Sequence, residues 1–461
     1  IRGLDQHSAG SISGLLNSDL TPLVRQVSPA DWAGKPALSK FALQDYPKIY
    51  GLVRFVYKIA TNQINTEGHC GRSLRATKLV LIAKKPTGIR PIAVGETLRR
   101  IAGRFVTRWL KDKIISALGP YQYAMQSNGT TKLVLAARNT LEKHPDFVML
   151  APDAKNAFNA QSRRQGITRM CEEIPGLTPI TQMGYKIDAD IFLTRKVRHQ
   201  HQDLWLESIK SRNGTQQGDP LGMVHYCCGQ QRVLQETREY MESLKQHLYP
   251  DDTQAHRTAR RQSRDWFIGA YADDLVIVGP PAMVARIYCR YAYLNQHYNG
   301  SVFKRAKNVA CSMGLSAEEV QTSLHRELQQ LQQLPPQWPV TDTYTESHRD
   351  RNEERVRFSL LVELHDLHFN THIHGVEGVE LLGIPIEKED SNLLAHTLML
   401  KRLAKTGGTW EKIQPIITSK HQLAQILQYC LRTRFHHFCR GVRPSRLHSP
   451  VSAALQYLKA H

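Results

Sequence analysis

Two adjacent carboxylates, Asp273 and Asp274, follow Tyr271 and Ala272 between two apolar runs. Residues 266–271 and 275–278 have the composition of paired strands, so the acids are expected at the tip of a β-hairpin. Neighbouring carboxylates repel and raise one another's pKa. Such a tip is either an ordinary solvated turn or a place where a divalent cation gathers carboxylate oxygens and substrate phosphates. The tetrapeptide alone leaves both open. A third acid bears on the choice: Phe147 to Ala151 reads as a buried strand, and Asp153 stands at its end. Two-metal nucleotidyl transfer needs carboxylates from separate strands. They hold two ions roughly 3.5–4 Å apart, one on the attacking 3′-oxygen and one on the leaving phosphates. Asp153 beside the Asp273–Asp274 pair on one sheet would give that arrangement.

Two further runs carry chemistry. In Asn213-Gly214-Thr215-Gln216-Gln217-Gly218-Asp219-Pro220-Leu221-Gly222, glycines permit close backbone approach and glutamines offer amide hydrogen bonds. In Lys84-Lys85-Pro86-Thr87-Gly88-Ile89-Arg90, cations flank a glycine turn, which suits a triphosphate and equally an ordinary basic hairpin. With Asp153-Ala154-Lys155-Asn156-Ala157-Phe158-Asn159 and Tyr271-Ala272-Asp273-Asp274, the first of these runs stands in the order of the three palm motifs of a polymerase, and the second resembles its fingers hairpin. The chain resembles a reverse transcriptase of the non-LTR retrotransposon (LINE-like) family, closely over residues 75–315 and loosely over 378–445.

The resemblance implies an α+β right-hand polymerase fold, with fingers, an antiparallel-sheet palm and a helical thumb. It implies an RNA-directed DNA polymerase of a retroelement that uses two Mg²⁺ (or Mn²⁺) ions, an RNA template, a DNA primer and dNTPs. Asp153 and Asp273 would hold metal with Asp274 in support, and Lys307 would protonate departing pyrophosphate. Lys84, Lys85, Arg90, Ala154, Phe158, Gln217 and Gly218 would surround the nucleotide, Phe158 as a gate against a 2′-hydroxyl. Leu382 and Gly383 would form the primer-grip turn, and Leu427 to Arg440 the start of the thumb. The implied order is an extension over 1–74, fingers over 75–145, palm over 146–315, an insertion or partly disordered linker over 316–377, and primer grip with thumb over 378–461.

The sequence departs from the family in four places. Lys304 stands where asparagine is usual. Pro152 precedes the metal-binding Asp, and because proline lacks a backbone donor the strand is expected to be an edge or distorted there. The stretch 316–358 is a long insertion. No endonuclease domain or terminal zinc knuckle is recognisable, so an endonuclease partner or missing domain is expected. Two alternatives remain. One is an RNA-dependent RNA polymerase or telomerase-like enzyme. The polymerase would favour glycine at Ala272 and a small polar residue at Phe158, and no telomerase-specific region is recognisable. The other is a catalytically decayed or domesticated domain serving as an RNA-binding scaffold.

The elements that must position these residues are partly readable. A strand pair is expected at 78–83 and 89–94, and a basic helix from Glu96 to Leu118, stopped by Gly119-Pro120. Another helix is expected after Asp219 and Pro220, with Asp219 as its cap. Met283 to Asn299 reads as a helix ended by Gly300, and Glu327 to Leu334 as a short Gln-rich helix stopped by Pro335-Pro336. The 461 residues carry 61 Lys and Arg against 41 Asp and Glu, a net charge of +20, which favours a polyanionic partner. Eight scattered cysteines form no CxxC pair and read as core thiols of a reducing compartment. No membrane span and no signal peptide are recognisable, so an intracellular protein of nucleus or cytoplasm is expected. The start, lacking Met, suggests a fragment of a longer chain.

Overall fold

The computed structural model describes residues 13, 15, 16, 19, 20, 47–83, 88–196, 203–248, 254, 263–304, 307–333, 369–373, 376–387, 393–413, 438, 440 and 442. Lys84, Lys85 and nearly all of the expected thumb segment 427–440 lie outside them. In chain order the first helices are α1 (Pro47–Ala60), α2 (His69–Arg75), α3 (Thr97–Trp109), α4 (Lys111–Leu118), α5 (Gly129–Lys143) and α6 (Ala157–Ala160). They are followed by α7 (Arg163–Glu173), α8 (Thr178–Tyr185), α9 (Gly222–Leu248), α10 (Pro281–Asn299), α11 (Ala317–Gln333) and α12 (Leu393–Ile413). The chain divides into two compact units: Ile1–Pro120 with Asn156–Arg232 and Tyr298–Ser301, and Tyr121–Lys155 with Val233–His297 and Val302–His461. They interleave along the chain.

The first unit holds a four-stranded sheet of β1 (Thr77–Ala83), β2 (Ile89–Gly95), β4 (Ala189–Lys196) and β5 (Asp203–Ser211), in the order β2-β1-β4-β5. The β1–β2 hairpin matches the sequence pattern, with Thr77 opposite Gly95 and Ala83 opposite Ile89. β4 joins β1 in parallel, and its register on β5 shifts between Leu193 and Thr194. The single basic helix expected over 96–118 is two helices: α3 ends at Trp109, Leu110 intervenes, and α4 stops at Gly119 with φ +69°.

The second unit is built on a five-stranded sheet, β6-β7-β3-β8-β9, from β3 (Val148–Ala151), β6 (Phe267–Tyr271), β7 (Asp274–Gly279), β8 (Asn308–Ser312) and β9 (Phe369–Asn370). The first four run antiparallel in sequence of contact, and β9 is added parallel to β8. β3 is central, and Val148, Met149 and Leu150 are buried on both faces, which is why it reads as an unbroken apolar run. Leu275 to Val278 of β7 are buried in the same way, and α5 packs on β6, β7 and β3. Two short hairpins follow: β10 (His372–Ile373) with β11 (Val376–Glu377), and β12 (Val379–Leu381) with β13 (Ile384–Ile386). The chain is therefore a mixed helix-and-sheet protein with mainly antiparallel sheets. Among the described residues no helix is long and apolar enough to cross a membrane.

The stretch expected as an insertion or linker contributes ordered structure. α11 begins ten residues before the expected Gln-rich helix and packs on β8 through a stripe that includes buried Val320, Leu324, Leu328 and Leu331. Its start is fixed by a reciprocal cap. The Ser316 N–H donates to the Glu319 carboxylate at 2.7 Å, and the Glu319 N–H donates to Ser316 Oγ at 3.2 Å. α12 starts on a buried acid instead: Glu387 accepts the N–H groups of Leu394 and Ala395 at 2.8 and 3.1 Å. Replacing Ser316→Ala is expected to cost about 1 kcal/mol. Urea denaturation would show the midpoint falling without a change in slope, and an unchanged midpoint would contradict the cap.

Candidate active site

The tip of the β6–β7 hairpin is held by an unusual local conformation. Tyr271 pairs with Asp274, so Ala272 and Asp273 form a two-residue turn. Such turns need a positive φ at their first central residue, normally glycine. Here Ala272 adopts φ +54°, a left-handed conformation costly for a residue with a Cβ. The side chain of Gln122 compensates. Its Oε1 accepts the buried Ala272 N–H at 2.8 Å, and its Nε2 donates to the Ala272 carbonyl at 3.4 Å. Gln122 is itself fixed by the backbone. Ala270 N–H donates to the Tyr121 carbonyl and Tyr123 N–H to the Ala270 carbonyl, both at 2.8 Å. Gln122 was not among the residues expected to matter. Its one sequence signal is a lone amide between two tyrosines directly after a helix stop.

Register brings the third acid to the same edge. Leu150 stands opposite Ile277, and Ala151 opposite Val309. Continued past these last pairs, Asp153 falls level with Asp274 on one side and Lys307 on the other. β3 is neither an edge nor distorted at Pro152, contrary to expectation. Its ladder ends at Ala151, so the missing proline N–H removes no strand pair. Pairing resumes beyond it, where Ala154 bridges Phe303 and Lys304 N–H donates to the Asp153 carbonyl at 2.8 Å.

Asp274 senses the other two acids. Burial first, then the charges of Asp273 and Asp153, push the Asp274 carboxyl up to about 6. Asp274 is exposed at the start of β7, but the protein packed around its carboxyl still makes burial the leading cause. One cation is already present: Lys304 Nζ lies 2.9 Å from Asp153 Oδ2. Lys307, the lysine expected to act, is exposed at the start of β8. Among the described residues, no three His, Cys, Asp or Glu side chains converge closely enough to cage a metal ion. Mg²⁺ does not require a cage, since it keeps waters and takes one or two carboxylates plus substrate phosphates. Asp274, whose ionisation is opposed first by burial and then by its acidic neighbours, fits such an ion.

The first unit holds the other motif residues. Phe158 in α6 is half-buried and stacks on Tyr226, with ring centroids 4.5 Å apart. The Gly214–Gly222 loop is tied to the same segment, because Thr215 N–H donates to the Phe158 carbonyl at 2.7 Å. Both loop glycines face the protein's own backbone. A Cβ on Gly214, at φ +62°, would lie 2.3 Å from the Phe158 carbonyl oxygen. One on Gly218, at φ +117°, would lie 2.8 Å from that of Ala93, and Ala93 N–H donates to the Gln217 carbonyl at 2.9 Å. Arg163 braces the loop by donating to the carbonyls of Asn213 and Gly214, both at 3.0 Å, and to that of Ser211. α9 starts at Gly222, and at its entry Asp219 Oδ1 accepts the Leu221 N–H at 2.9 Å, the kind of bond expected of a cap. Asp219 also pairs with buried Arg99 and accepts from the Tyr185 hydroxyl at 3.0 Å. Burial, then the Asp219 charge, holds that hydroxyl well above its ordinary pKa, so it remains a donor.

Arg90 is exposed on β2. In the second unit, Leu382 and Gly383 form the two-residue turn between β12 and β13, with φ +49° and +84°. Arg402 donates to the Gly383 carbonyl at 2.6 Å. The described part of each expected motif therefore has a defined local geometry.

No protein-family model matches the sequence, and no curated protein matches it. Among solved structures, the chain is similar to telomerase from Candida tropicalis truncated from the C-terminal domain, at 13% identity and TM-score 0.37 over 53% of this chain and 51% of that one. It is similar also to telomerase from Candida albicans in complex with a fragment of telomeric RNA, at 13% identity and TM-score 0.37 over 60% and 48%. A third is apo telomerase from Candida tropicalis, at 11% identity and TM-score 0.36 over 57% and 49%. The chain thus spans about half the length of the telomerase chains it matches.

Two outcomes are expected at the hairpin. Gln122→Leu removes the amide and leaves a buried N–H without a partner, at a cost of about 1–3 kcal/mol. Adding Ala272→Gly should recover part of that loss, because glycine adopts the left-handed region freely. An unchanged urea midpoint for Gln122→Leu would show the bracket to be idle. The second outcome concerns pH. A carboxyl whose pKa is raised on folding favours the fold below its unfolded value, and that advantage disappears as pH rises through the folded value. Asp274→Asn should therefore raise the melting temperature at pH 7.5 without divalent cations, with the gain shrinking from pH 6 towards pH 4. A gain that is equal at both ends would refute the charge origin.

Proposed function

We propose that the chain is a reverse-transcriptase-like nucleotidyltransferase, an RNA-directed DNA polymerase of a retroelement. The observation that carries this reading is the strand register that sets Asp153 level with Asp274 at one end of the five-stranded sheet, where burial and then the charges of Asp273 and Asp153 oppose the ionisation of Asp274. Asp153, Asp273 and Asp274 would hold Mg²⁺ or Mn²⁺. When bound, two such ions stabilise the attacking and leaving oxygens of an in-line displacement.

The chain's own residues then have separate tasks. The Gln122 bracket fixes the carboxylates of the hairpin tip before substrate arrives, so little reorganisation is left to the reaction. Lys304 holds the Asp153 carboxylate in place through its ion pair, and exposed Lys307 is free to meet departing pyrophosphate. Phe158, braced on Tyr226, would exclude a 2′-hydroxyl, with Ala154, Gln217 and Gly218 beside the nucleotide and Lys84, Lys85 and Arg90 on its triphosphate. Leu382 and Gly383 would hold the primer end. In this reading the five-stranded sheet is the palm of a right-hand polymerase and the β1–β2 hairpin belongs to its fingers. An RNA template, a DNA primer and dNTPs are the partners, with an endonuclease domain or partner to open the target.

One observation favours a second reading, an RNA-binding scaffold without catalysis. Lys304 occupies Asp153 with a fixed charge, and that contact has to open or be shared before an ion takes the oxygen. Primer extension on an RNA template, with dNTPs and Mg²⁺, separates the two. The parent protein should extend the primer, and Asp273→Ala should lose about 10³-fold or more, since a metal contact of this kind supplies several kcal/mol. Normal primer–template binding with no extension by the parent protein would leave the scaffold standing.

A further inference from the structure

A surface of the first unit, separate in residues from the carboxylate hairpin, carries its own signature. α3 contains Arg99, Arg100, Arg104 and Arg108 and no acidic residue. Arg99 is turned inward to Asp219. The other three recur every four residues, so they form one stripe that extends about 12 Å along the helix. Like charges at this spacing oppose helix formation. Burial, and then the charge of Arg104, hold the Arg100 guanidinium below its ordinary pKa. Arg104 and Arg108 are exposed, and among the described residues no acid pairs with either. Lys111 and Lys113 extend the charge onto α4, with Asp112 the one acid there.

A second stripe lies beside the first. Phe105 and Trp109, also four residues apart, are 53% and 74% exposed. Their rings meet edge to face, with centroids 5.4 Å apart. Two large rings left in water next to unpaired guanidiniums contribute little to the core, so the pattern calls for a ligand with flat apolar faces and regularly spaced negative charges. A polynucleotide strand has both: phosphates for the arginines and unpaired bases for the rings. A duplex hides its base faces, which favours a single strand. Aromatic and arginine residues also serve protein interfaces, but the cores of those are depleted in charge, whereas half of this surface is a like-charge row.

We propose that the Arg104–Arg108 and Phe105–Trp109 stripes of α3 form a binding surface for single-stranded nucleic acid, with phosphates on the arginines and bases on the rings. It does not rest on the polymerase reading, because the surface needs neither carboxylates nor ions.

Fluorescence anisotropy of the full chain with a dye-labelled single-stranded RNA 20-mer tests this, in EDTA and without nucleotides, across a salt series. Two phosphate contacts on a single strand contribute roughly 1.4 to the slope of log affinity against log salt. The double variant Arg104→Gln/Arg108→Gln should lose that amount, while Arg104→Lys/Arg108→Lys keeps it. Trp109→Ala should weaken binding about tenfold with the slope unchanged, and Trp109→Phe should retain most of the affinity. Matching circular-dichroism melts would show that the exposed substitutions leave the fold intact. Unchanged affinity and slope in both the Gln double variant and Trp109→Ala would overturn the proposal. So would a change confined to self-association in sedimentation, which would make the face a protein interface. Absence of primer extension bears on the carboxylates and leaves this result unaffected.

Discussion

The position of the acidic hairpin depends on one side-chain amide. Asp273 follows a residue whose backbone is left-handed, and without compensation Ala272 would favour another turn and move the acids. Gln122 removes that freedom by binding both the N–H and the carbonyl of Ala272. The residues flanking Gln122 bond the backbone of Ala270, so the amide is anchored on the strand whose tip it fixes. A turn stabilised from outside in this way resists the repulsion between its two carboxylates. That repulsion is the cost of gathering acids at a sheet edge, and together with burial, the larger cause, it raises the pKa of Asp274.

Electrostatics at this edge is balanced on two levels. The Asp153 carboxylate has the Lys304 ammonium, while Asp274 is flanked by Asp273 and Asp153 and is held part-way towards its neutral form. An ion arriving at the hairpin would therefore meet one acid already paired with a lysine and one whose charge burial and its acidic neighbours oppose. This asymmetry follows from Lys304, whose backbone N–H also donates to the Asp153 carbonyl. A shorter polar side chain at 304 could keep the backbone bond but would bring no charge.

What the sequence revealed was local. The β6–β7 and β1–β2 hairpins and the helix ending before Gly300 follow from apolar runs and turn residues next to them in the chain. Asp153 and Asp274 could be named for the same reason. Contacts between distant segments were not legible. Gln122 meets Ala272 across 150 residues, and Arg163 meets the loop at Asn213 across 50. The conflict expected at Pro152 vanished because the ladder stops one residue earlier, a boundary that composition does not define. α11 is the opposite case. Ser316 and Glu319 form a capping signature visible in the sequence, but the Gln-rich run drew attention to the later half of the helix. Nor was it legible that Gly214 and Gly218 stand against the protein's own backbone, where a Cβ would clash.

The same distinction applies to the net charge of +20. Read from composition, the excess looks like a surface waiting for a polyanion. Yet Arg75, Arg99, Arg138, Arg163 and Arg290 are all buried. Arg99 neutralises Asp219, Arg138 donates to the Pro385 carbonyl, and Arg163 holds three loop carbonyls. These guanidiniums serve as multi-toothed donors inside the protein, a task for which their planar geometry suits them better than lysine. Their charge acts on outside ligands only weakly. The part of the excess that a polyanion can use is smaller and is set by direction: on α3, Arg99 points into the unit while Arg104 and Arg108 point out. One helix thus supplies a buried brace for the Gly214–Gly222 loop and an exposed basic stripe.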